Sequence, residues 1–176
     1  MSQQPPDNPA GEFTWSVAYD EQVKQALIKD IRLAPLRLAD TVGGLTDPEL
    51  NTLYKNWTIR QIVHHLADSH LHSYIRFKWT LTELEPTIKA YQEADWVDLD
   101  DCRLGDIAPA LLLLNALHAK WLQVLESMTA EQFARTFMHP QTMQAVSLWE
   151  ALNYYAWHAK HHTAQIQWLR QHATEI

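Results

Sequence analysis

Apolar residues recur at steps of three and four along four long stretches of this chain, and this spacing constrains the fold more than any other feature. Such steps follow the 3.6-residue turn of an α-helix and cannot line one face of a strand. The first stretch, about residues 20–42, carries Val23, Leu27, Ile31, Ala34 and Leu38, and Gly43-Gly44 ends it. Pro35 lies inside it and should kink the helix or remove one hydrogen bond. The second runs from Thr58 to about Glu83, with Ile59, Ile62, Val63, Leu66, Phe77 and Leu81 in one sector, and stops before Pro86. It opens on Thr58-Ile-Arg-Gln61, the spacing of a capping box. The third covers about 106–127, with Ile107, Leu111, Leu114, Leu117, Trp121 and Leu125 inward. The fourth, about 148–172, opens on a second box, Ser147-Leu-Trp-Glu150. Thr46-Asp-Pro-Glu49 and Thr129-Ala-Glu-Gln132 should each start a short helical turn.

Only four glycines occur in 176 residues, too few for a fold built on many tight β-turns. The expectation is an all-α four-helix bundle, with almost no strand. Residues 86–105 form an acidic connection without clear period, longer than a bundle turn needs, which points to a crossover or a functional role. A loop containing His139-Pro140 should precede the last helix. Residues 1–15 are polar and Pro-rich and are expected to form a flexible arm, leaving 16–176 as a single domain.

Charge narrows the function. Twenty-one acidic residues against 14 basic give a net charge of −7, and no Lys/Arg cluster interrupts it, so neither nucleic acid nor an anionic membrane is an expected partner. No apolar run approaches the roughly 20 residues of a membrane span. The first residues lack a signal-peptide pattern, and the single Cys102 cannot form an internal disulfide, so a cytoplasmic protein is expected.

Ten histidines are the unusual count. His158 and His162 are four apart, so on a helix they project side by side, about 40° apart. Such a pair suits one metal ion, because both imidazoles converge without bending the backbone. His161 is turned away and should face outward or support the pair. On the second helix His65, Ser69, His72 and Arg76 make a polar stripe beside the apolar sector, and His65 is the candidate third ligand. His64 should see solvent, His70 falls inside the apolar sector, and His72 lies too far along the axis to share the ion. A helical pair of this kind also arises by chance in a histidine-rich chain, where it binds nothing. The single cysteine argues against a structural zinc site, and no HExxH supplies a built-in base.

Two segments together, NWTIRQIVHHLADSHLHSYIRFK (56–78) and LNYYAWHAKHHTAQI (152–166), resemble the YfiT branch of the DinB/YfiT-like superfamily. The resemblance extends to Phe137-Met-His-Pro-Gln-Thr142, to PTIKAYQEADW and to NPAGEF near the start. It implies a DinB bundle of up-down-down-up arrangement and a divalent ion, Zn2+ or Ni2+, held by His65, His158 and His162. It also implies a homodimer, and an activity as a metal-dependent hydrolase or a bacillithiol S-transferase.

Three histidines leave an open position on a metal, which can take a thiol or water. A bound thiol ionises near neutral pH and can attack a small electrophile; a bound water becomes a hydrolytic nucleophile. Thiol transfer is the favoured expectation, hydrolysis the alternative, and a non-catalytic helical stress-response or binding module the second alternative. Arg76 is a possible anchor for a substrate carboxylate, or else a surface ion-pairing residue. Asp68, Ser69 and His72 could support the ligands. Trp57 and Trp157 are the tryptophans placed to meet a substrate, His139 could line the pocket mouth, and Cys102, among Asp98, Asp100 and Asp101, is a poor nucleophile.

Overall fold

The computed structural model describes residues 4–14 and 18–172; residues 1–3, 15–17 and 173–176 lie outside it. Four long helices dominate: α1 (Glu21–Val42), α3 (Ile59–Thr82), α6 (Ala108–Ser127) and α8 (Leu148–His172). Between them run α2 (Asp47–Leu50), β1 (Leu53–Tyr54), β2 (Trp57–Thr58), α4 (Glu93–Val97), α5 (Asp100–Leu104), α7 (Ala130–Phe133), β3 (Thr136–His139) and β4 (Gln144–Ser147). The caps follow local chemistry. Asp20 accepts from the Val23 amide at 2.9 Å to start α1, and Thr58 and Gln61 cap each other's backbone to start α3. Glu150 accepts from both the amide and the hydroxyl of Ser147 at the start of α8.

The helix order around the bundle follows from side-chain pairings. Asp30 meets Lys160 and Thr41 meets Arg170, so α1 and α8 run parallel. Lys24 donates to the carbonyl of Met128 and His118 Nδ1 to that of Ile31, so α1 and α6 are antiparallel. His70 meets His118 and Phe77 meets Trp121, so α3 and α6 are parallel. His65 meets His162 and Arg76 meets Tyr155, so α3 and α8 are antiparallel. The bundle is therefore up-down-down-up, and its parallel α3 and α6 need a connection that travels back the length of the bundle.

That connection is more ordered than its lack of period suggested. Two short helices, α4 and α5, form within it, and α3 pins them: Gln61 donates to the Val97 carbonyl at 2.9 Å and Arg60 to that of Gly105 at 2.5 Å. Buried Val97 and Cys102 anchor them from the other side. The expected loop before α8 is instead the hairpin β3–β4, paired from Thr136↔Ser147 to His139↔Gln144. Met143 takes φ +53° in its turn. The crossover docks on this hairpin, with Ile88 donating to Met138 O at 3.1 Å and Met138 to Pro86 O at 2.9 Å. A second small hairpin, β1–β2, leads into α3.

The arm expected to be free is held at several points over residues 4–14. Tyr54 donates to Pro6 O at 2.5 Å, Trp157 donates to Gly11 O at 3.0 Å, and Phe13 packs edge-on against Tyr154. Apolar contact plus satisfied carbonyls outweigh the arm's polar composition.

The core has two apolar clusters. One contains Ile31, Phe77, Trp121, Leu125, Leu148 and Leu152, the other Leu38, Ile62, Leu66, Leu114 and Ile166. Along every long helix the changeover falls at the same level: Pro35 on α1, His70 on α3, His118 on α6, and His158 with His162 on α8. A layer of histidines thus separates the two halves. No helix among the described residues is long and apolar enough to cross a membrane.

Candidate metal centre

The antiparallel packing of α3 on α8 brings His65 against the i, i+4 pair of α8. His158 Nε2 lies 3.2 Å from His65 Nε2 and 3.1 Å from His162 Nε2. One ligand atom from each of the three lies within 4.8 Å of the others, and all three rings are buried. A tetrahedral zinc with bonds of about 2.0–2.1 Å needs its ligand nitrogens roughly 3.3 Å apart, so the trio is already near the required spacing.

The donor set also fits. Burial pushes the His65 imidazole down to about 4 and holds His158 and His162 well below the ordinary histidine range, with neighbouring imidazoles adding to it. All three rings are therefore neutral at pH 7, the form that ligates metal. Gln165 fixes one tautomer. Its oxygen lies 2.8 Å from His162 Nδ1, which must donate, leaving Nε2 as a bare lone pair aimed at the trio's centre. The Gln165 amide nitrogen is 2.9 Å from His161 Nε2 and so couples that ring to His162. His161 is buried rather than outward-facing, stacked on Trp157 with centroids 4.6 Å apart. The Nδ1 atoms of His65 and His158 are buried without a partner among the described residues.

A cavity of about 690 Å³ opens beside the trio, lined by all three histidines together with Ser69, Arg76 and Tyr91. Trp57, Tyr154, Tyr155, Trp157 and His139 also line it. Trp57 lies over two of the three, its ring 4.6 Å from that of His65 and 6.1 Å from that of His162. Arg76 is half-buried in the cavity, and it is Tyr155 rather than a carboxylate that it meets: Nη1 donates to the phenol oxygen at 2.9 Å. Its Nε is buried without a partner among the described residues. The lining carboxylates are Glu93 and Glu150, and Glu150 is engaged as the cap of α8.

The remaining candidates lie elsewhere. His72 stacks on Tyr91 at 4.2 Å, away from the trio. His64 is half-buried rather than solvent-facing, because α5 packs over it and places Asp101 and Gly105 near its ring. Asp68 is half-buried, its carboxyl pushed up to about 6 by burial and by Asp101. Cys102 is buried, and burial together with Asp101 pushes its thiol up to about 12, so it is no nucleophile at neutral pH. His70 is fully buried against His118, a residue that sequence reasoning missed although it falls on the same inward stripe as Leu114 and Trp121.

Fold and site together define a helical bundle with a buried three-histidine cluster at the edge of a pocket, and comparison with known proteins gives the class a family. The DinB superfamily profile matches residues 31–166, and the chain belongs to that superfamily. YfiT of Bacillus subtilis, a candidate metal-dependent hydrolase by name, is 42% identical over 160 residues, covering 90% of each chain. A Bacillus cereus (strain B4264) protein named in the same way is 41% identical over 165 residues, covering 93% of this chain and 94% of its own. The solved structure of Bacillus subtilis YfiT, described as an unusual four-helix bundle, superposes with a TM-score of 0.92 at 40% identity, covering 95% of this chain and 97% of that one.

Proposed function

We propose that this chain is a divalent-metal-dependent enzyme that joins a low-molecular-weight thiol to a small electrophile, with His65, His158 and His162 holding Zn2+ or Ni2+. The observation that carries the reading is the convergence of the three neutral Nε2 atoms, 3.1 and 3.2 Å across His158, at the edge of the cavity. A divalent ion bound there supplies a lowered pKa to a thiol or water at its open position.

The chain's own residues do the rest. Trp57 shields two ligands from water, and Tyr154 and Trp157 offer aromatic surface to an electrophile. Arg76, oriented by Tyr155, presents a fixed cation to a carboxylate of the thiol. A thiol is acidic enough that metal binding alone ionises it near neutral pH, whereas hydrolysis gains more from a general base. Of the two lining carboxylates, Glu150 is committed to Ser147 as the cap of α8, which favours the thiol reaction. Hydrolysis is the second reading, favoured by the names of the Bacillus relatives. The partners in this reading are a small thiol, a small electrophile and a second copy of the chain, in the cytoplasm.

The test loads the protein with zinc or nickel. It then follows 1-chloro-2,4-dinitrobenzene with bacillithiol, cysteine or glutathione, beside hydrolysis of p-nitrophenyl acetate. Metal-dependent conjugation abolished in His158→Ala supports the proposal; metal-dependent ester hydrolysis without conjugation supports the second reading.

A further inference from the structure

Two buried histidines, His70 and His118, stand outside the trio, and their protons can be placed by hydrogen-bond logic alone. Pro35 has no N–H to offer the carbonyl of Ile31 one turn earlier in α1. His118 Nδ1 lies 2.7 Å from that oxygen. A carbonyl oxygen only accepts, so Nδ1 carries the proton and, in a neutral ring, Nε2 is a bare lone pair. That lone pair faces His70 Nδ1 at 2.9 Å, which must therefore donate. His70 Nε2 is left as a lone pair, fully buried, with no partner among the described residues.

The trio offers the complementary group. His158 Nε2 faces both other ligands, so when it ligates an ion the ring's proton resides on Nδ1. That Nδ1 is also buried without a partner among the described residues. The His70 and His158 rings have centroids 5.7 Å apart and a 33° tilt. The hydrogen-bonded rings of His70 and His118 have centroids 4.9 Å apart, so a bond between the first pair needs those rings to move together from where they stand here.

We propose that His70 is a positioning residue for the metal ligand His158: His70 Nε2 accepts the Nδ1 proton of His158 in the metal-bound protein, and Ile31, through His118, dictates the tautomer that makes this possible. The inference rests on the three-histidine metal reading. It links a proline on α1, which touches no ligand, to the orientation of a ligand on α8. Partners of this kind fix the ligand's ring and raise its basicity, and their loss costs about tenfold to a hundredfold in metal affinity.

The test uses the full chain labelled with 15N and zinc alone as the probe. Long-range 1H–15N correlation identifies which ring nitrogen of each histidine is protonated. The proposal expects His118 and His70 protonated at Nδ1 with or without zinc. It also expects, on zinc binding, a His158 Nδ1 proton with nitrogen–nitrogen coupling across the bond to His70 Nε2. His70→Phe should lower zinc affinity about tenfold to a hundredfold, and His70→Gln, which returns an acceptor near the lost nitrogen, should recover part of it. Protonation of His70 at Nε2 in the zinc-loaded protein, or unchanged zinc affinity in folded His70→Phe, overturns the proposal and leaves the metal site standing. Failure of the wild-type chain to bind zinc overturns both. If His70→Phe does not fold, the wild-type coupling decides.

Discussion

His65, His158 and His162 line an open cavity, whereas His70 and His118, at the same level of the bundle, do not. All five rings are buried, and burial lowers the pKa of every one, so neither residue type nor protonation separates the two groups. Hydrogen bonding does. The pair hangs from a backbone carbonyl that Pro35 leaves free, and each contact in it joins a proton to a lone pair. In the trio, one Nε2 faces two others, and His162 Nε2 is bare because Gln165 takes the proton on its far side. In one cluster protein atoms satisfy both nitrogens of His118 and one of His70; the other converges ring nitrogens that a cation could join. The difference teaches that within one histidine layer the partner of the second nitrogen decides whether a ring is satisfied by protein atoms or keeps a lone pair that a cation could take.

The sharpest way to break the comparison is to remove one member of each group. His158→Ala should lower zinc affinity by about two to three orders of magnitude, measured by competition with a chromogenic chelator. His118→Leu should lower it at most about tenfold, and equal losses would erase the distinction. His118→Leu should instead cost about 2–3 kcal/mol in urea unfolding, because it leaves the buried Ile31 carbonyl and the His70 proton unpaired. Arg76→Gln should leave zinc stoichiometry unchanged while lowering kcat/KM for an anionic thiol by about tenfold to a hundredfold.

Acid should act on both groups. Between about pH 6.5 and 4 the unfolded chain binds protons at these histidines that the folded chain refuses, His65 and His118 titrating only at about 4. Stability of the metal-free protein is thus fully present above that window and falls as pH drops through it, by roughly 1 kcal/mol per pH unit for each such ring. Denaturant midpoints at stepped pH check this, and a flat profile would contradict it. The smallest expected effect is that of Cys102→Ala: it leaves metal content and conjugation rate unchanged, since the thiol stays protonated at neutral pH.

Four long helices and their starts were legible because apolar spacing and capping boxes are local signals; Thr58, Thr129 and Ser147 each cap as their spacing indicates. The hairpin β3–β4 was not, because its strands carry only one buried apolar side chain, Phe137, and owe their order to the crossover docked on Met138. The short helices α4 and α5 depend likewise on Gln61 and Arg60 reaching from α3. At the site, His158 and His162 share a helix, so their pairing could be read from spacing, and His65 stood on a polar stripe. The inward position of His161 could not, because Trp157 and Gln165 enclose it only once folded. His118 was readable in principle from its place among Leu114, Leu117 and Trp121, but its acceptor exists only because Pro35 sits on a different helix.

The most direct test of the account is metal content by mass spectrometry on untagged protein incubated with zinc, beside His65→Ala, His158→Ala and His162→Ala. One ion per wild-type chain, lost in each variant while His118→Leu retains it, is the predicted result. No bound metal in the wild type, or an ion that survives loss of any member of the trio, would contradict it.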